Sequence, residues 1–194
     1  SYNHPQKEKK IIQDFISRNV SGLVIVTCQP GNTEFFQNSI IRYNVPTVFV
    51  DRMPQGLDVN FLSFDNYSTV YHLTKRLLDE GYKNICLFTG PEEIIGEYDC
   101  VCAFIDAHTR KKTNYNPDLI FSCDLTKERS FCTLMAALKT DAPQAIISSS
   151  EVLTVGITEA LTLSHLRIPE DITVITLGTT DIKDIVLSNG APNP

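Results

Sequence analysis

Short apolar runs rich in β-branched residues alternate along the chain with longer segments whose apolar positions recur at helical spacing. Each short run predicts a buried strand, and each longer segment predicts an amphipathic helix. The joints between them are short, which is typical of a doubly wound parallel α/β sheet. The clearest unit spans residues 143–178, where the strands 145–147 and 172–175 flank a helix that ends before Pro169.

The remaining elements follow the same rhythm. Helices are predicted over residues 5–19, 33–44, 67–80, 96–109, 127–138 and the 153–163 segment, and strands over 23–26, 47–50, 59–64, 84–88 and 119–121. Asn32 or Thr33, Asn66 and Thr126 are candidate N-caps, and Gly81 is a candidate helix stop. A long loop at 53–60 indicates two sheets. After Gly178 we predict only a short apolar turn at 182–187 and a Pro/Asn tail.

Composition supports a folded chain with a real core. The chain has 194 residues, of which 42% are hydrophobic and 21% charged, so it can form one large domain or two small ones. The net charge of −6 makes the chain a poor match for a phosphate backbone, although a DNA-binding part can lie elsewhere in a larger protein. The sequence shows neither a bilayer-length apolar run nor a secretory signal.

The six cysteines are predicted to be reduced, without a disulfide framework. Cys28, Cys86 and Cys123 lie in or beside apolar runs, where cysteine behaves as a small hydrophobe. Reduced thiols in a core-rich chain favour a cytoplasmic location. Cys100 and Cys102 have the spacing of half a metal site, but a second ligand pair at useful spacing is missing from the sequence. We therefore expect neither a metal nor a cofactor.

Enzyme signatures are weak. The serines at 148–150 lack the G-x-S-x-G context of a nucleophile elbow. The four histidines lie on or near predicted helices without partnered motifs. The turn at 89–91 lacks the further glycines and the lysine of a phosphate-binding loop. We therefore expect that the chain is not an enzyme.

Several segments, in order, resemble the effector-binding domain of lactose-repressor-type (LacI/GalR) transcription regulators. The matching segments are Val20–Val26, Val45–Arg52, Phe64–Asn66, Leu77–Ile85, Thr89–Pro91, Ala103–Phe104 and the whole of 143–177. The most specific is RIPEDITVI, residues 167–175. The resemblance implies a type I periplasmic-binding-protein-like fold, in which two α/β subdomains face each other across a cleft.

The same resemblance implies a division of the chain and a missing part. Residues 1–64 correspond to part of the N-terminal effector subdomain and residues 65–194 to the C-terminal one. The helix-turn-helix head, the hinge helix and the first strand–helix–strand of such regulators are expected to be absent from this chain. Residues 191–194 resemble the region before the chain returns to the first subdomain.

The resemblance also implies an effector cleft. Asp51 matches an acid that accepts hydrogen bonds from ligand hydroxyls, and Arg52 follows it. The alternative is a loop acid paired with Arg52. Asp65 and Asn66 lie at the expected subdomain crossing, where a hinge or a helix cap explains them.

Other cleft positions depart from the family pattern. Cys100 stands where the family usually has an arginine, and Leu125 stands where an aromatic ring often stacks on the ligand. Ser150 and Glu151 replace an Asn-Asp pair, and Gly178 replaces an aspartate. The effector is therefore sugar-like or atypical and less polar, the pocket has lost its ligand, or the local register is shifted by a residue or two.

The function that the resemblance implies is ligand sensing. The chain would be the dimerising, effector-binding domain of a cytoplasmic DNA-binding repressor, and a small molecule would control DNA affinity by closing the cleft. Its partners would be the effector, a second copy of the chain and, through the head, DNA, with no membrane. The alternatives are a solute-binding protein of a sugar transporter and, less favoured, an α/β enzyme.

Overall fold

The computed structural model describes residues 4–140 and 142–178. The helices are α1 (Pro5–Ser17), α2 (Thr33–Phe36), α3 (Asn66–Asp79), α4 (Ile95–Lys111), α5 (Lys127–Ala137) and α6 (Glu151–Leu163). The strands are β1 (Leu23–Ile25), β2 (Thr47–Val50), β3 (Asn60–Leu62), β4 (Ile85–Thr89), β5 (Ile120–Ser122), β6 (Ala145–Ser148) and β7 (Thr173–Thr176). The predicted α/β alternation is confirmed. The turn predicted at 182–187 and the tail, including residues 191–194, lie outside the described residues.

The strands form two parallel sheets. The first has the order β1-β2-β3, and the second has the order β5-β4-β6-β7. In the second sheet Ile85 is paired with Ala145, and Ala145 with Thr173. The prediction of two sheets from the long 53–60 loop is therefore confirmed.

The chain divides into two compact units. The first contains the described residues up to Asp65 together with Glu93–Gly96, and the second contains the remainder from Asn66 onward. Residues 179–194, which the predicted C-terminal subdomain includes, are outside the described part.

Helices cover both faces of the second sheet. Alternate residues of β4 enter opposite cores, with Ile85 and Leu87 on one side and Cys86 and Phe88 on the other. One core is closed by α3 and α4, and the other by α5 and α6. Burial on both faces explains why these strands are continuous apolar runs.

Only one face of the first sheet is covered within the described residues. Ile25 and Phe49 pack with residues of α1, such as Ile12, and with Phe36 of α2. On the opposite face Val24 is 78% exposed and Leu62 is 64% exposed. Parallel sheets are normally covered on both faces, whereas the described residues of the first unit cover one face.

Local signals place most element ends correctly. Pro5 occupies the first turn of α1, the Thr126 hydroxyl caps α5 by accepting the amide of Arg129 at 3.3 Å, and Gly81 has a φ of +93° after α3. The predicted helix at 33–44 is wrong in form, since only one α-helical turn is present. It continues as a π-helical segment, Gln37–Ile41, in which the Ser39 hydroxyl donates to the carbonyl of Phe35.

Candidate functional site

The central strand of the first sheet, β2, ends in a tight turn at Asp51. The amide of Arg52 donates to the carbonyl of Val50 at 2.7 Å, and Asp51 between them has a φ of +65°. The amide of Asp51 donates to the carbonyl of Leu62 at 2.9 Å, which fixes the turn to the neighbouring strand. A three-residue turn with positive φ is the rare and strained form, and such strain concentrates at functional sites.

The side chains of Asp51 and Arg52 differ in their surroundings. The Asp51 side chain is 48% exposed, whereas that of Arg52 is 19% exposed. The Asp51 carboxylate lies 3.8 Å from Arg52 Nε, which is beyond hydrogen-bond distance. Arg52 Nε is buried and has no hydrogen-bond partner among the described residues. In the alternative explanation Asp51 is the partner of Arg52, and the only contact that supports it is this long ion pair.

A buried carboxylate, Glu8, holds the loop that follows β1. Glu8 is 5% exposed and accepts hydrogen bonds from Thr27 Oγ1 at 2.8 Å, from the amide of Cys28 at 2.8 Å and from Gln29 Nε2 at 3.2 Å. Strands β1 and β2 are parallel neighbours, so this loop lies at the same sheet edge as Asp51. Sequence reasoning missed Glu8, because a glutamate among lysines looks like part of a solvated helix face.

The charge of Glu8 is stabilised by its donors. Burial alone would raise the pKa of this carboxyl group, but the hydrogen bonds from Cys28, Thr27 and Gln29 outweigh it and lower the pKa below its ordinary value. Glu8 is therefore an ionised acceptor that orders the first loop of the edge.

In the second unit, Glu97 fixes the end of the central strand β4. Its carboxylate accepts hydrogen bonds from Thr89 Oγ1 and from the amide of Gly90, each at 2.8 Å. A Cβ at position 90 would lie 2.9 Å from Leu125 Cδ2 and 3.0 Å from the carboxyl carbon of Glu97. Gly90 thus leaves room for Leu125 and Glu97 to close over the chain, and a larger residue would require both side chains to shift. Leu125 itself is partly buried and packs against the core beneath α5 and α6.

Serines end the neighbouring strand β6. Ser150 is the N-cap of α6, since its hydroxyl accepts the amide of Leu153 at 3.4 Å. The Ser148 hydroxyl donates to the carbonyl of Ser150 at 3.0 Å. The Ser149 hydroxyl is buried without a hydrogen-bond partner in the described part of the chain. Buried hydroxyl groups are normally hydrogen-bonded, so Ser149 retains an unused hydrogen-bonding capacity at this strand end.

Glu151 and Gly178 meet at this edge. Glu151 is the first residue of α6 and is exposed, and Gly178 follows β7 with a φ of +110°. A Cβ at position 178 would lie 3.4 Å from Glu151 Oε1. The structure therefore brings Ser150, Glu151 and Gly178 together, with a carboxylate beside the glycine.

Cys100 lies elsewhere. Its side chain is fully buried in the core that α3 and α4 form with the second sheet. Burial raises the pKa of this thiol to about 12. The described conformation therefore gives Cys100 a packing role, and the predicted ligand contact would need its thiol to leave the core. Asp65 and Asn66 lie where the two units meet in sequence, and α3 begins at Asn66 itself.

Residues 4–140 and 142–178 contain no group of three or more His, Cys, Asp or Glu side chains placed to hold a metal ion. The six cysteines, all of which lie in this part of the chain, form no disulfide with one another. The helices of this part of the chain are too short or too polar to cross a membrane.

Comparison with known proteins gives consistent matches. Residues 2–182 match the family described as periplasmic binding proteins and sugar binding domain of LacI family. Catabolite control protein A of Staphylococcus xylosus is 23% identical over 188 residues, covering 96% of this chain and 56% of the relative. The HTH-type transcriptional repressor PurR of Histophilus somni is 25% identical over 178 residues, covering 89% and 52%.

Solved structures agree on the fold. The crystal structure of the transcription regulator CcpA of Lactococcus lactis superposes with a TM-score of 0.78 at 21% identity, covering 88% of this chain and 62% of that one. The chain spans about half the length of the curated relatives it matches. Since the family profile spans nearly the whole sequence, the chain belongs to the family of periplasmic binding proteins and LacI-type sugar-binding domains.

Proposed function

We propose that this chain is the ligand-sensing, dimerising domain of a cytoplasmic DNA-binding transcription repressor. The observation that carries the proposal is the polar end of each parallel sheet, where Asp51 sits in a strained turn and Ser149 has an unpaired buried hydroxyl. Open α/β folds bind ligands at such carboxyl ends. The relative named as a transcriptional repressor supports the same proposal.

The effector is proposed to be a small polyhydroxylated molecule. In the first unit, Asp51 and Arg52 would bind it. In the second unit, the effector would contact Ser150, Glu151, Gly178 and Leu125. It would also contact the unpaired hydroxyl of Ser149. Carboxylate and hydroxyl oxygens accept hydrogen bonds from sugar hydroxyls, and Leu125 would supply an apolar contact. Cys100 is left out of this set because its thiol is buried in the core.

The proposed mechanism is a population shift. An effector that contacts both units binds their closed arrangement better than their open one, and this differential affinity drives closure. Closure would reposition DNA-binding heads in a dimer, and Asp65 and Asn66 would act as the hinge. The heads are proposed to lie outside these 194 residues.

A solute-binding protein of a sugar transporter is the second candidate, because the matched family includes periplasmic binding proteins. Six cysteines without a disulfide among the described residues favour the repressor, since oxidising compartments favour disulfides. The repressor name of one relative favours it too.

The test is coupling between ligand and DNA in the intact protein. DNA fragments retained by the protein would be titrated by fluorescence anisotropy with and without sugars that raise its melting temperature. We expect about a 5- to 150-fold change in DNA affinity. Asp51→Asn should abolish the response, while the exposed control Asp118→Asn should retain it. Sugar binding with no DNA binding would favour the transporter.

A further inference from the structure

The Arg52 side chain has a hydrogen-bonding capacity that the described residues do not use. Its Nε is buried and has no hydrogen-bond partner among the described residues, and the whole side chain is only 19% exposed. A guanidinium is always charged and is a donor only. Native proteins rarely leave a buried charged donor unpaired, and such a group indicates an unplaced partner.

Asp51 does not serve as that partner. Its carboxylate oxygen is 3.8 Å from Nε, and its side chain is 48% exposed. The turn that joins the two residues is fixed by backbone bonds to Val50 and Leu62. Two neighbouring groups with opposite hydrogen-bonding roles therefore lie at this strand end: a carboxylate that only accepts hydrogen bonds and a guanidinium that only donates them.

We infer that Arg52 binds an anionic group of the effector, so that the ligand is an acidic sugar derivative carrying a carboxylate or a phosphate. This inference rests on the function proposed above and specifies the ligand class. Ligand hydroxyls would donate to Asp51, while the anionic group would accept hydrogen bonds from Nε and a second guanidinium nitrogen. Such charge-assisted, bidentate bonds are stronger than those to a neutral oxygen.

The test uses sets of ligands that share one sugar framework and differ in whether they carry an anionic group at one position. Glucose, glucuronate and glucose 6-phosphate, and ribose with ribose 5-phosphate, would be titrated into the intact protein by calorimetry. We expect an acidic member to bind about tenfold or more tighter than its neutral counterpart. The glucuronate and phosphate arms distinguish a carboxylate from a phosphate.

Two variants assign the preference to Arg52. Arg52→Gln should remove the difference between acidic and neutral ligands, and Arg52→Lys should keep part of it, because lysine retains the charge without the planar fork. Circular dichroism of the ligand-free variants checks that both are folded. A preference for acidic ligands that survives in Arg52→Gln would overturn the inference.

The outcomes separate the two proposals. If neutral sugars bind the wild-type protein as tightly as their acidic counterparts, the anion inference fails while the proposed function stands. If neither class binds to any member of the panel, both fail.

Discussion

Gly156 controls the packing of α5 against α6, the helix that Ser150 caps and that begins at Glu151. A Cβ at position 156 would overlap the carbonyl oxygen of Lys127 and the hydroxyl oxygen of Ser130. Replacement by alanine must therefore push the helices apart. The Ser130 hydroxyl, which is fully buried, donates to the carbonyl of Leu153 at 2.9 Å and would lose this bond.

Three contributions set the expected effect of Gly156→Ala. Overpacking destabilises by about 1–3 kcal/mol, and the lost hydrogen bond by about 1 kcal/mol. Alanine regains about 1 kcal/mol of helix propensity. The free energy of unfolding should therefore fall by about 1–3 kcal/mol, and 2 kcal/mol corresponds to a melting temperature lower by about 4–8 °C.

Urea denaturation followed by circular dichroism at 222 nm measures this change. Gly31→Ala is the matched control, because a Cβ there would meet nothing within 4 Å. Adding Ser130→Ala should recover only part of the loss, since the carbonyl of Lys127 remains in the way. A Gly156→Ala variant that unfolds at the same urea concentration as the wild type, or a higher one, would refute the close-packing argument.

Three further predictions concern buried polar groups and thiols. Glu8→Ala should lower the free energy of unfolding of the first unit by about 2–4 kcal/mol. Glu8→Gln should lower it by less, because the amide keeps one acceptor oxygen. Equal urea midpoints for Glu8→Ala and the wild type would contradict a stabilising role for the hydrogen bonds that Glu8 accepts. Burial lowers the pKa of His108, so the unfolded state takes up the proton first and stability should decline as the pH falls below about 6.5. His108→Gln should flatten urea midpoints between about pH 7 and 5, whereas the exposed control His72→Gln should not; an unchanged slope in His108→Gln would count against this assignment. Exposed Cys132 should react with a thiol reagent in the native protein, and buried Cys100 only on unfolding; comparable native rates, read by peptide mass spectrometry, would show that Cys100 is accessible.

The fold was predictable because local and global signals agree. The apolar runs predicted at 145–147 and 172–175 became the buried strands β6 and β7, and the segment between them has the helical spacing of a crossover helix. Capping residues such as Thr126 and the stop at Gly81 placed helix ends within a few residues. The π-helical continuation of α2 was not predictable, because the apolar spacing of 33–44 fits an α-helix equally well.

The candidate site was less predictable because its geometry depends on distant contacts. Glu8 is buried by residues 19 to 21 positions away in sequence, and its lysine-rich neighbours give no sign of this. The buried position of Cys100 depends on the rotation of α4, which a residue count along the chain does not specify. The positive φ of Asp51 and the unpaired nitrogen of Arg52 appear only once β3 is placed beside β2.

Calorimetric titration of the intact protein with sugars and acidic sugar derivatives measures ligand binding directly. We predict saturable binding at a single site per chain, weakened in Asp51→Asn. The same ligand, at about 100 times its Kd, should stabilise the protein by about 2.7 kcal/mol in thermal denaturation. A panel that gives neither saturable heat nor thermal stabilisation would contradict the assignment of this chain as a ligand-sensing domain.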